Sequence, residues 1–206
     1  MNGVIKIGFF VRLWKFPVAV TFYVLFFVFP FSGFSQDEVD TATINRINRL
    51  AGNSFRRNDL DSAIYYADEA IKLSREISYK KGKADAFYII AEIREKQNNL
   101  TMALRYYFGS VREYETANDS LDAAGVKIKI ADVFYKAGMY QKALEYYLGA
   151  EKYLLRQNRE FDKDESELIE NIADVYYSLE EYDKSLQYYK RLEKIFSVSG
   201  DSAANI

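Results

Sequence analysis

The chain has 206 residues, 49% hydrophobic and 28% charged, with 28 basic against 30 acidic side chains and neither cysteine nor histidine. This suits one ordinary globular unit and excludes disulfides, thiolate nucleophiles, Cys/His zinc sites and histidine-based general-base or triad chemistry. Beyond residue 35 the count is 25 basic against 30 acidic residues, which gives no electrostatic reason to expect nucleic acid as a partner.

Residues 1–35 come first and differ from everything after them. They hold Lys6, Arg12 and Lys15, no acid, and both prolines of the chain, Pro17 and Pro30. From Phe16 to Phe31 no charge interrupts the apolar run, and Gly33 and Ser35 then precede Gln36, Asp37 and Glu38. A basic start, an apolar stretch and small residues three and one before a polar start read as a secretory signal, cut between Ser35 and Gln36. An uncut anchor is the alternative, since Phe16 to Phe34 is just long enough to span a bilayer. Either reading exports the remainder to the periplasm or cell exterior, and membrane contact is expected only through residues 1–35 if they stay uncut.

After Gln36 the chain is proline-free, which a helical protein tolerates best. Two sequence threads repeat through it. Ala63, Ala103, Ala143 and Ser185 stand at steps of 40, 40 and 42, within SAIYYADEA, MALRYYFGS, KALEYYLGA and KSLQYYKRL. Leu50-Ala51, Ile90-Ala91, Ile130-Ala131 and Ile172-Ala173 lie at a constant offset ahead of them. The first copy departs in one respect: Ala67 takes the place of its second tyrosine.

Each copy predicts two helices with apolar or small residues on one face, in the third copy Tyr140, Ala143, Leu144, Tyr147 and Ala150. Asn58-Asp59, Asn98-Asn99, Gly138-Met139 and Glu180-Glu181 are short polar turns that force antiparallel neighbours. The fold class is therefore all-α: a solenoid of four antiparallel hairpins over residues 36–199, at about 44–78, 84–118, 124–157 and 166–197, with 200–206 a polar tail. Of each Tyr-Tyr pair, one ring is expected in the core and the other along the rim, because adjacent helical residues point about 100° apart.

Ile130, Ala131, Phe134, Gly138, Tyr140, Ala143, Tyr147 and Ala150 resemble the tetratricopeptide repeat (TPR) family, and the likeness runs from about Ile44 to Phe196. It implies a right-handed superhelix. The period exceeds the family's usual 34 and the proline ending the second helix is missing, as in the longer repeats of bacterial regulators and kinesin light chains. The resemblance also implies a concave wall made by each first helix. Carried over position by position, that wall is Asn48, Gly52 and Phe55; Tyr88, Glu92 and Glu95; Ile128, Asp132 and Tyr135; Glu170, Asp174 and Tyr177. The lysine and asparagine that clamp a chaperone's C-terminal carboxylate in the best-known subgroup are absent. Tyrosines and acids at these places fit a basic or neutral segment, or the acids are simply solvated.

The function expected is a non-enzymatic scaffold holding a protein or peptide segment, with no cofactor or metal. Its alternative is the sensory part of a membrane-bound signalling protein such as a histidine kinase or transcriptional regulator. A carboxylate-pair hydrolase is the rival class, and stacked hairpins imply no enclosed pocket for one. The last helix carries Tyr182, Leu186, Tyr189, Leu192, Ile195 and Phe196 with only SVSGDSAANI behind it. Fraying or self-association is expected there.

Overall fold

The structure, a computed structural model, describes residues 39–154 and 163–203. The expected signal segment, with Ser35 and Gln36, lies outside the described residues. The described elements are all helices: α1 (Thr41–Arg56), α2 (Leu60–Glu76), α3 (Lys80–Lys96), α4 (Leu100–Thr116), α5 (Ser120–Lys136), α6 (Tyr140–Leu154), α7 (Lys163–Ser178) and α8 (Tyr182–Ala203). Each packs on the helix before and after it, and α1 also reaches α3. The architecture is that of a TPR-type α-solenoid, four hairpins in which α1, α3, α5 and α7 take the first place and α2, α4, α6 and α8 the second.

The long period has a simple cause. Helices α2, α3, α4 and α5 are each 17 residues long, and three-residue turns such as Gln97–Asn99 separate them. The added residues extend helices, and the described joins between repeats, at 77–79 and 117–119, are as tight as the turns within them. One turn motif serves every described junction. A residue at positive φ (Asn58, Ser78, Asn98, Asn118, Gly138 or Glu180) follows the helix. The amide of the residue after it donates back to a carbonyl five positions earlier, as Asn99 N to Arg94 O at 2.8 Å and Met139 N to Phe134 O at 2.9 Å. This closes the free carbonyls of one helix. Asp40, Asp59, Asn99 and Asp119 then cap the next helix by accepting from the amides of Thr43, Ser62, Met102 and Asp122.

The core follows the two sequence threads. Ala51, Ala91, Ala131 and Ala173 are fully buried, as are Ala63, Ala103 and Ala143, while Ile90, Ile130 and Ile172 fill the space beside them. Each such isoleucine, taken out of water, contributes about 1.5–3 kcal/mol. Leu50 departs from its counterparts and is 37% exposed; α1 has no hairpin ahead of it among the described residues.

Gly82 lets α3 lie close against α1. A Cβ there would lie 2.5 Å from Tyr79 Cδ1 and 2.7 Å from Ile44 Cγ2. One correction concerns the end of the chain: α8 carries helix through Ala203, so residues 200–203 of the expected tail are helical. Among the described residues no helix is long and apolar enough to cross a membrane.

Candidate functional site

The first helices of the hairpins line two adjoining clefts. One, of about 550 Å³, is bounded by Phe55, Glu92, Glu95, Lys96, Lys129 and Lys136. The other, of about 500 Å³, has Tyr88, Ile128, Asp132 and Lys129 on its walls, with Asp122, Glu165, Glu167 and Leu168 toward α7. Lys129 belongs to both. Of the expected wall residues, Phe55, Glu92 and Glu95 thus share one cleft and Tyr88, Ile128 and Asp132 the next.

Tyr135, Glu170, Asp174 and Tyr177 line neither cleft. Tyr135 is half-buried, with its ring 5.4 Å from that of Tyr140 and its hydroxyl 3.4 Å from Ser178 Oγ. Glu170 is exposed. Tyr177 is exposed too, edge-on to Tyr182.

Asn48 requires a correction. It is not a wall residue: it is 6% exposed, and its Nδ2 donates to the Gly82 carbonyl at 2.8 Å. The close approach permitted by Gly82 turns this position inward and ties α1 to α3.

Glu170 apart, the acids of the wall are not simply solvated. Tyr147 donates its hydroxyl to Asp132 Oδ1 at 2.6 Å, and Tyr189 donates to Asp174. Tyr107, at the same place in the second repeat, donates to Glu95 Oε2 at 2.9 Å. Glu92 accepts instead from Tyr88, one turn away on its own helix, at 3.1 Å. In the second and third repeats the inner tyrosine therefore holds a carboxylate of the first helix and its partner ring lies at the rim, whereas in the fourth Tyr189, which holds Asp174, is exposed and Tyr188 is half-buried. In the second and third repeats the inner rings, Tyr107 and Tyr147, are buried and the outer ones, Tyr106 and Tyr146, half-buried.

Burial sets the electrostatics. It pushes the Glu92 and Asp132 carboxyls above their ordinary values, against the hydrogen bonds from Tyr88 and Tyr147. The phenols of Tyr107 and Tyr147 are also raised, by burial first and then by the acids they touch. Such a phenol stays neutral and keeps donating throughout the physiological range.

The lysines were not foreseen. Lys136 Nζ lies 2.5 Å from Glu95 and Lys129 Nζ 3.9 Å from Asp132, and Lys96 sits over the Phe55 ring at 5.3 Å. The wall is thus divided in charge and not uniformly acidic. The cleft at α1 and α3 carries three lysines against two acids. The cleft toward α7 carries Asp122, Asp132, Glu165 and Glu167 on its walls with Lys129, and Asp122 also pairs with Lys81.

Residues 45–160 match the model of the family described as "SNAP: Soluble NSF attachment protein, SNAP". No curated protein matches the chain. Among solved structures, BtubC (BKLC) from P. vanneervenii superposes with a TM-score of 0.69 at 18% identity, over 77% of this chain and 65% of that one. The apo form of RapI gives 0.70 at 17%, over 81% and 60%. A Rap protein complexed with competence and sporulation factor gives 0.63 at 16%, over 75% and 43%. The chain therefore spans less than two thirds of each, and the likeness is one of fold.

Proposed function

We propose that this chain, which belongs to the soluble NSF attachment protein (SNAP) family, is a non-enzymatic scaffold that holds a protein segment in the groove lined by α1, α3, α5 and α7. The observation that carries this reading is the charge division of the wall. The carboxylates of Asp122, Asp132, Glu165 and Glu167 at one end and Lys96 and Lys136 at the other orient a segment whose own charges are divided the opposite way. Tyr88, Ile128 and Phe55 give it rigid apolar contact between them. A Rap protein of the same fold complexed with competence and sporulation factor is consistent with a ligand-holding role. In the same reading residues 1–35 export the scaffold to the periplasm or exterior, and the open face of α8 is where copies associate. The second reading, a sensory region of a membrane-bound signalling protein, uses the groove in the same way.

Two peptides of identical composition test it, one with its lysines and glutamates in separate blocks around an apolar centre, the other with them alternating. The block peptide should bind roughly tenfold more tightly by fluorescence anisotropy. Lys96→Glu with Lys136→Glu should erase that preference. Equal affinity for the two peptides sinks the groove reading.

A further inference from the structure

A third cleft lies on other faces of the hairpins. It runs between α2 and α4, has a volume of about 690 Å³, and is floored by Phe87 and Tyr106 with Phe108 at its edge. The floor is open because of a glycine: a Cβ at Gly109 would stand 3.2 Å from the Phe87 ring. With no side chain there, the ring faces the cleft. The Phe87 and Tyr106 rings meet at 5.9 Å, tilted by 55°, and form a continuous apolar base.

The walls are cationic. Lys72, Arg75, Arg105 and Arg112 line the cleft against one acid, Asp68. Internal pairing leaves much of this charge unanswered. Lys72 lies 3.5 Å from Glu69 on its own helix. Arg112 lies 3.7 Å from Glu113, but that carboxylate already serves Lys83 at 2.8 Å and Lys80 at 3.8 Å. Three cations around one nearly buried carboxylate leave a local excess of positive charge. Arg75 and Arg105 are exposed and have no ion pair among the described residues.

We propose that this cleft binds a short acidic segment of a partner protein, with carboxylates on Arg75 and Arg105 and an apolar side chain on the Phe87–Tyr106 floor. Arginine suits the first role because its planar fork takes a carboxylate at two points. The aromatic base suits the second because it is apolar, rigid and bounded. Nucleic acid would answer the charge but not its extent. A chain with 30 acids and 28 bases offers a long polyanion no net attraction beyond the cleft. The site is separate from the α1–α3–α5–α7 groove, so one molecule can hold two segments of opposite chemistry at once.

The test is a fluorescein-labelled peptide of aspartate, glutamate and leucine titrated with the full chain, followed by anisotropy. Saturable binding is expected, with affinity falling roughly tenfold or more in Arg75→Glu with Arg105→Glu. Both positions are exposed, so an unchanged melting temperature shows that the variant is folded. Glu92→Gln with Asp132→Asn, in the other groove, should leave binding unaltered. Indifference to the arginine reversals overturns the proposal, as does loss of binding in the groove variant. Displacement of the peptide by single-stranded oligonucleotide at lower concentration than by unlabelled peptide overturns it in favour of nucleic acid.

Discussion

The third and fourth repeats share a plan, and their second helices, α6 and α8, show what a neighbour contributes. Leu144 in α6 is 5% exposed and Tyr147 2%. Their counterparts in α8, Leu186 and Tyr189, are 52% and 38% exposed. In α6 the face bearing them has α7 beyond it; in α8 no described helix follows. The same residue types in the same register are therefore core in one place and surface in the other. Helical period alone does not decide burial in a solenoid; stacking does.

The sharpest way to break this comparison is to shorten the paired leucines. Leu144→Ala should cost about 2–5 kcal/mol, by lost transfer energy and the cavity left behind. Leu186→Ala should cost about 0.5 kcal/mol or less. Urea denaturation of the two variants at low protein concentration measures both. Equal losses would show that α8 is covered in solution as α6 is. Leu186→Lys sharpens the point, because it should abolish any concentration dependence in sedimentation velocity if copies meet through this face. The expected partner stripe is also narrower than its sequence suggests, since Leu192 is buried and Ile195 half-buried.

The tyrosine–carboxylate pairs give the next effect. Tyr147→Phe leaves the partly buried Asp132 without its donor and should cost about 1–3 kcal/mol. Tyr189→Phe, at the open end, should cost about 0.5 kcal/mol or less. The pH dependence has a definite sign. Burial holds the Asp132 carboxyl above its ordinary 3.8. Just above that value the native state keeps a proton that the unfolded chain releases, so this group's contribution to stability falls as pH rises through the native value. Ionised Asp132 needs Tyr147 most, and the penalty of Tyr147→Phe should shrink as pH is lowered from 7 toward 4. A penalty that is constant with pH would mean that the hydroxyl serves something other than the carboxylate.

How much of this was legible in the sequence depends on whether one helix or two must be known. The repeat, the turns at Asn58, Asn98 and Gly138 and the alanine seams depend on spacing along the chain and could be read directly. The tyrosine–acid pairs depend on the phase between two helices, which spacing does not supply. A signal was nevertheless present: the copy with Ala67 in place of the second tyrosine also has Gly52 in place of the acid. Donor and acceptor are missing together. Asn48 was misplaced for a related reason, since its burial comes from Gly82 in another repeat. Lys96, Lys129 and Lys136 escaped because the family's wall positions form one stripe, and long cationic side chains reach the groove from beside it.

The fourth repeat differs from the others in its turn as well as its cover, and here the smallest effect is expected. Glu180 sits at φ 63°, a conformation held elsewhere by Asn58, Asn98, Asn118, Ser78 and Gly138. Asparagine visits this region readily and glycine without steric penalty, whereas other L-residues meet a clash between Cβ and the backbone. The Glu180 side chain is exposed, so replacing it removes little besides that clash. Glu180→Gly should therefore stabilise the turn by about 0.5–1 kcal/mol, the relief of strain being partly offset by the added freedom of glycine in the unfolded chain. Glu180→Asn should give a similar gain without that offset. Because neighbouring hairpins unfold with limited coupling, the gain should register first as slower amide exchange in α8 and only weakly in the melting temperature. Faster exchange in Glu180→Gly would mean that the strained turn is not what separates the fourth repeat from the third, and that the exposure of the α8 face accounts for the whole difference.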